Sequence, residues 1–298
     1  MNVTKRSDLA SRTNSPIGVG LRYEHYTVAL DQSSSSIDFV ELHAENFFAQ
    51  GGPISYLLDE ITERYPVSIH GTGMGLGSVQ SIDKDYLKKF VSLVARVNPM
   101  LVSDHACFTW GHQNNQLVHA GDLLPLQFDT ATLKVLSDNV DRVQQALGRQ
   151  LLVENIVSYQ QFPDNDFSES EFFCRLVENT RCGLLVDLNN LLINFRNFPA
   201  GEPLSMARQW LNHIPSHAVK ELHLAGSTEP AKGHMIIDDH AQPVSDECWL
   251  LFYDAIKRFT GAAVLLEWDN NLPSWQELIC EARQANRWIN RAASEYML

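Results

Sequence analysis

Histidine, aspartate and glutamate recur at the ends of short apolar runs in this chain. "IDFVELHAEN" (37–46) closes on Glu41, His43 and Glu45, "VSIHG" (67–71) on His70, and "LVSDHA" (101–106) on Asp104 and His105. "LLVENI" (151–156) carries Glu154 and Asn155, and "GLLVDLNN" (183–190) carries Asp187, Asn189 and Asn190. "VKELHLAG" (219–226) carries His223, and "AAVLLEWDN" (262–270) carries Glu267 and Asp269. The stretch "HMIIDDHAQPV" adds His234, Asp238, Asp239 and His240. Carboxylates packed together without a counter-ion repel one another and shift to protonated forms. Cations remove that cost, and imidazole with carboxylate, without thiolate, suits iron, manganese or zinc. Of the five cysteines, only Cys107 lies near a run end, so an N/O site is expected. The candidate ligands outnumber what one ion can use, so two or three ions are expected.

Each residue alone has a plainer reading. A single strand-end histidine is more often a hydrogen-bonded structural group, and Asp187 could cap a following helix through the Asn189 or Asn190 amide. Asn155 and Asn189 read as supporting groups, and Glu41 as a buried ion-pair partner. His25, His112, His119, His213 and His217 read as surface residues. The recurrence of polar residues at the ends of six or seven runs favours a metal centre over coincidence.

Elements of a particular kind must bring these ends together. With "IGVGLR" (17–22) the apolar runs number eight. Their apolarity suits strands covered on both faces, as in a parallel sheet. Helix-like segments separate them. "DKDYLKKFVSLVARV" opens on a capping Asp83, "TATLKVLSDNVDRVQQALG" closes on Gly148, and "SESEFFCRLVENT" opens with a Ser168–Glu171 capping box. Eight strands with intervening helices in 298 residues match a single (β/α)8 TIM barrel. A doubly wound open sheet is the runner-up, but no dinucleotide or P-loop fingerprint follows a strand. In a barrel all strand C-termini share one face, and the polar ends would meet in one bowl. Residues 1–15 read as a polar flexible leader and 16–298 as the barrel domain. Gly71-x-Gly73-x-Gly75 is expected to let a substrate backbone approach the rim. Trp275 and Trp288 of the last helix are expected to pack on the barrel.

Composition narrows the partners. The formal net charge of −13 argues against nucleic acid, and no apolar run spans a membrane. Scattered cysteines in odd number, without a secretory signal, suit reduced thiols in the cytoplasm.

The motifs "ELHAENFF", "SIHGTGMGLGS", "SDHACF", "LLVENI", "LLVDLNNLLIN", "ELHLAG", "IDDHAQPV" and "LLEWDNNLP" occur in that order between about Gly18 and Pro273. Together they resemble the signature blocks of the bacterial multinuclear non-heme iron-dependent oxidative enzymes, which are xylose-isomerase-like TIM barrels. The resemblance implies two or three irons at the barrel mouth, mixed-valent Fe(II)/Fe(III), with zinc or manganese able to take their place in a recombinant preparation. It implies use of O2 to modify cysteines of a ribosomally made precursor peptide, and a separate protein that presents the peptide. Carried over by motif, the metal ligands are His70, His105, Glu154, Asp187, Asn190, His223, Asp238, His240 and Glu267, with Glu154 bridging two irons. Glu154, His70, His105 and Asp187 would carry the catalytic role, and His43, Glu45, Asn155, Asn189 and Asp104 a supporting or substrate-facing one. Asp238 is preferred to Asp239 because alternate residues of an extended segment point the same way. The same barrel could instead serve a metal-dependent sugar isomerase or epimerase, a phosphodiester hydrolase, or a non-catalytic metal-binding protein.

Overall fold

The computed structural model describes residues 15–32, 34–80, 82–114 and 116–295. Residues 1–14 of the expected leader lie outside the described residues, and Ser15 is buried.

Eight parallel strands close into a barrel. They are β1 (Ile17–Gly20), β2 (Phe39–His43), β3 (Val67–His70), β4 (Val102–His105), β7 (Leu152–Glu154), β8 (Gly183–Asp187), β9 (Val219–Leu224) and β10 (Ala263–Leu266). Their order around the barrel is β1-β10-β9-β8-β7-β4-β3-β2, so each apolar run of the sequence supplies one stave. The remaining two strands, β5 (Phe108–Gln113) and β6 (Gln116–Leu124), form a separate antiparallel hairpin. Sequence reading leaves this hairpin out, although its turn carries the expected signal in Asn114, at φ 51°.

The helices are α1 (Tyr26–Asp31), α2 (Pro53–Arg64), α3 (Lys84–Val97), α4 (Thr130–Leu147), α5 (Glu169–Thr180), α6 (Leu188–Asn197), α7 (Pro203–His213), α8 (Asp246–Arg258) and α9 (Trp275–Glu295). The capping signals act as read. Asp83 accepts the Tyr86 amide, and Ser168 and Glu171 form a reciprocal capping box. Gly148 closes α4 in the left-handed region. Helix α6 follows Asp187 as the capping reading has it. Its N-cap is Asp187, whose carboxylate accepts the Asn190 amide at 2.7 Å.

Strand parity divides the side chains into two sets. Val40 and Leu42, Val67 and Ile69, Leu184 and Val186, Leu222 and Leu224, and Val264 and Leu266 join the large core between sheet and helices. The alternate residues face the barrel axis. Near the N-terminal end they include Phe39, Ala263 and Leu265, a small apolar cluster of its own. Gly18 on β1 lies opposite Phe39, and a Cβ there would sit 2.5 Å from the Phe39 ring. A glycine is therefore required at this point by close approach rather than by backbone angle. Further along the same strands the inward positions become Glu41, His43, His70, His105, Glu154, Asp187, Glu221, His223 and Glu267.

The last helix packs on the barrel through a buried Trp275 and a half-buried Trp288, whose ring lies 5.6 Å from Tyr253. Among the described residues no helix is long and apolar enough to cross a membrane.

Candidate metal centre

Three groups of ligand-type atoms meet at the C-terminal mouth. In the first, His70 and His105 bring their Nε2 atoms within 3.3 Å of each other and within 3.5 and 3.3 Å of Glu154 Oε2. In the second, Glu154, Asp187, His223 and Glu267 converge, with His223 Nδ1 at 2.8 Å from Glu267 Oε2 and 3.8 Å from Glu154 Oε1. In the third, His240 Nε2 stands 2.7 Å from Asp238 Oδ1 and 3.7 Å from Asp187 Oδ2. Glu154 thus offers one oxygen to each of the first two groups. Asp187 belongs to the second and third. Its other oxygen caps α6, so the capping and ligand-type readings hold together, one oxygen each.

Asn190 lies on the first turn of α6 and lines the same cavity, with its Nδ2 donating to the Asn155 carbonyl at 3.2 Å. Asn155 bridges β7 to β8 by donating to the Asp187 carbonyl and accepting the Asp187 amide. Asp239 turns away to accept the Thr228 amide, whereas Asp238 lines the cavity. His240 itself adopts φ 40°, outside the extended region.

Other expected residues lie elsewhere. His43 lines the cavity, 4.0 Å from Glu267. Glu45 accepts the Thr72 and Gly73 amides and the Tyr86 hydroxyl, so it pins the glycine-rich segment. Asp104 has the opposite parity to His105 and lies under Gly71, where a Cβ would fall 2.3 Å from its carboxylate. Gly75, at φ 63°, similarly abuts Thr109. Gly71 and Gly75 thus leave room for the protein's own side chains, while Gly73 lines a cavity beside the hairpin. Asn189 is buried on α6 and does not line the cavity. His25 corrects the surface reading, since it is buried and bonds the Pro273 carbonyl at 2.8 Å. His112, His119, His213 and His217 are exposed as read.

Several groups were missed. Arg22, at the end of the first apolar run, is buried and pairs with Glu267 Oε1 at 3.2 Å and Asp269 Oδ1 at 2.8 Å. Asp269 also meets His240 Nδ1 at 3.1 Å. Ser103 holds His70 Nδ1 at 2.8 Å. Glu221 lies two residues before His223, where parity alone could have found it, and groups with Glu41 and His223. Glu41 meets His223 Nε2 at 3.6 Å, which fits its reading as a buried ion-pair partner.

The electrostatics follow from burial. Desolvation pushes Glu154 well above the usual carboxylate range and Asp187 to about 7, although His223 and His240 oppose it. Burial also lowers His70, and His105 to about 4. Burial opposes ionisation of Glu267 as well, yet His223 and His240 hold its carboxyl well below the ordinary range.

The donors fit metal ions. Glu154 Oε2, Asp187 Oδ2 and Asn190 Oδ1 are buried without a hydrogen-bond donor. Such atoms are costly unless a cation or proton meets them. The cluster offers imidazole and carboxylate and, among the described residues, no thiol. It could hold two or three ions, with Glu154 and Asp187 shared between neighbours.

Comparison with known proteins assigns the family and the fold. A family profile described as "RiPP precursor modification enzyme MbnB/TglH/ChrH" matches residues 16–290. A UPF0276 protein of Chromobacterium violaceum is 39% identical over 92% of this chain and 95% of its own length. A UPF0276 protein of Rhizobium meliloti is 36% identical over 93% of this chain and 88% of its own. Among solved structures, D-psicose 3-epimerase from Clostridium cellulolyticum superposes with a TM-score of 0.58 at 10% identity, covering 93% of this chain and 99% of that one. Endonuclease IV from Thermus thermophilus gives 0.57 at 15% identity, with the same coverage. These two likenesses establish the (β/α)8 barrel fold and nothing finer.

Proposed function

Because this chain belongs to the family of RiPP precursor modification enzymes MbnB/TglH/ChrH, we propose that it oxidatively modifies cysteine residues of a ribosomally made precursor peptide. The oxidant is O2, and the centre holds two to three irons. The ligands are His70, His105, Glu154, Asp187, Asn190, His223, Asp238, His240 and Glu267. The observation that carries this reading is the division of Glu154, one oxygen toward His70 and His105 and the other toward His223. Glu154 would hold two cations through its two oxygens, and such a pair would supply multi-ion chemistry.

When bound, the irons supply the redox steps that remove electrons from the peptide cysteine and pass them to O2, and they favour the thiolate over the thiol. The protein's own groups position them. Ser103 fixes the His70 ring through Nδ1, which turns Nε2 toward Glu154. Arg22 occupies Glu267 Oε1 and leaves Oε2 facing His223 and His240. Asp269 holds His240 through Nδ1, which aims Nε2 at Asp187 and Asp238. The Tyr159 hydroxyl accepts the Asp238 amide and anchors that loop over the cavity. A separate protein presents the peptide, and the reaction runs in the reducing cytoplasm, where the substrate cysteine stays a thiol.

Metal analysis after anaerobic purification tests the reading. The expected result is two to three irons per chain and O2 uptake that depends on a cysteine peptide. Zinc or manganese alone, with no iron-dependent uptake after reconstitution, overturns it. The sugar-epimerase and phosphodiesterase readings rest on the shared barrel alone, and turnover of a ketose or a phosphodiester by the metal-loaded protein would revive one of them, whereas tight metal without turnover would favour a non-catalytic metal-binding protein.

A further inference from the structure

The metal cavity adjoins two others. Thr72, Asp122 and Leu123 wall it in common with a cavity of about 430 Å³ beside the β5–β6 hairpin. Ile156 walls it in common with a second cavity of about 670 Å³, enclosed by the chain flanking the hairpin at Ala106 and Leu126, the loop after β7 and helices α5 and α6. The metal cavity itself measures about 180 Å³ and adjoins both. We read these three adjoining spaces as one trench at the barrel mouth. A small substrate has no use for two side limbs larger than the reaction chamber.

The limbs differ in chemistry. The larger one is mainly apolar and aromatic, with Phe128, Phe173, Phe195 and Phe198 in its wall and Glu169, among the described residues, as its one carboxylate. The hairpin limb is polar, with Trp110, Tyr86, Glu45 and Asp122. No Lys or Arg lines any of the three spaces among the described residues. Glu45 and Asp122 stand outside the proposed ligand set, and among the described residues neither meets a Lys or Arg, although Glu45 accepts two amides and the Tyr86 hydroxyl. Beside a Trp and a Tyr ring, two carboxylates suit a cationic side chain. Among the described residues the β5–β6 hairpin beside this limb pairs with no third strand, so each of its strands keeps a free edge that a peptide backbone could meet.

We propose that an extended peptide crosses the trench with its reacting residue internal, an aromatic or branched apolar residue on one side and a basic residue on the other. This rests on the peptide-modification reading and adds what that reading leaves open, the identity of the flanks. Acidic flanks are excluded by Glu45 and Asp122, and a terminal or isolated cysteine leaves one limb or both empty. Two to three residues of extended chain, about 7–10 Å, bridge from the chamber to either limb.

Binding to the metal-loaded protein tests the trench apart from the chemistry. The probes are acetylated, amidated nonapeptides with a central serine in place of cysteine, so nothing depends on oxidation. Their flanks are all glycine, or carry phenylalanine on one side and lysine on the other in both orders, or carry glutamate in place of lysine. The expected result is at least tenfold tighter binding of one Phe/Lys order than of the all-glycine peptide, and loss of that gain with glutamate. Ala200 is an exposed residue in the wall of the apolar limb, and Ala200→Trp is expected to erase the phenylalanine advantage with metal content unchanged. Asp122→Asn keeps the acceptor for the Leu123 amide and is expected to erase the lysine advantage. Equal binding of all flanks, or a ranking untouched by both variants, overturns the trench. O2 uptake on cysteine peptides that is indifferent to flanks overturns the trench alone. Absence of both binding and uptake for every peptide overturns the peptide reading with it.

Discussion

The floor and the mouth of the barrel are built from the same strands yet behave as different materials. On β2 the inward residues run Phe39, Glu41, His43, and on β10 they run Ala263, Leu265, Glu267. Two steps along a strand exchange an apolar plug for a ligand. The floor packs Phe39 against Ala263 and Leu265, with Met100 and Leu101 beneath, and the groups are neutral and dry. The mouth packs imidazoles against carboxylates that burial drives out of their ordinary titration ranges. The floor contributes stability through contact area. The mouth carries unsatisfied donors and acceptors that a cation would satisfy. Catalytic centres are tolerated in such a fold because the cost at one end is offset by packing at the other.

The contrast breaks most visibly at Glu154. Glu154→Gln keeps the volume and removes the shared carboxylate. Metal analysis is expected to show the loss of at least one ion per chain, and activity to fall by roughly 10³-fold, about 4 kcal/mol. The melting temperature of the metal-free protein is expected to hold or rise, since burial already opposes the charge of Glu154. A variant with normal metal content would remove Glu154 from the bridging position.

The floor responds in the opposite way. Phe39→Ala opens a cavity among buried side chains and is expected to cost about 3–5 kcal/mol in denaturant unfolding. Metal per folded chain should stay at the wild-type level. A large loss of metal at low temperature would show that floor and mouth are not separable. A smaller effect is expected from Gly18→Ala, whose new methyl meets the Phe39 ring and should cost about 1–3 kcal/mol. Combining it with Phe39→Leu should recover part of that loss, because the two sites share one space.

The smallest effect sharpens the mouth alone. Asp187 is raised to about 7 in the metal-free protein. Its protonated form therefore supports the fold, fully below the unfolded value near about 4, and this support is lost as pH rises through about 7. Cation binding needs the ionised form. Titration with Mn(II) between pH 8 and pH 5.5 is expected to weaken by about tenfold per pH unit below 7 for each proton displaced. Asp187→Asn should flatten that slope, and an unchanged slope would mean that Asp187 does not give up a proton to the cation.

Much of this was legible in the residues. Strand parity is fixed by period two, so "ELH" and "VSIH" announce which side chains face inward once the run is known to be a strand. Caps at Asp83, Ser168 and Gly148 are local and were readable for the same reason. Glu221 and Ser103 obey the same parity but went unread, because a glutamate before a strand end and a serine have plainer surface readings. The hairpin at 108–124 was missed because it adds no apolar run, and His25 was misread because only the packing of α9 brings Pro273 to it.

The sequence by itself determined the staves, their facing and the kind of atom at each end, because these depend on period two, apolar composition and donor chemistry. Only the tertiary structure decided which ends share a space. Closure of the barrel sets His223 of β9 beside Glu267 of β10 and Glu154 of β7, and it brings Arg22 from one end of the chain to Asp269 near the other. Those pairings depend on strand order and tilt, which no local pattern encodes. The same closure, with the hairpin and the loop after β7 laid beside it, placed the ring of ligands within a trench.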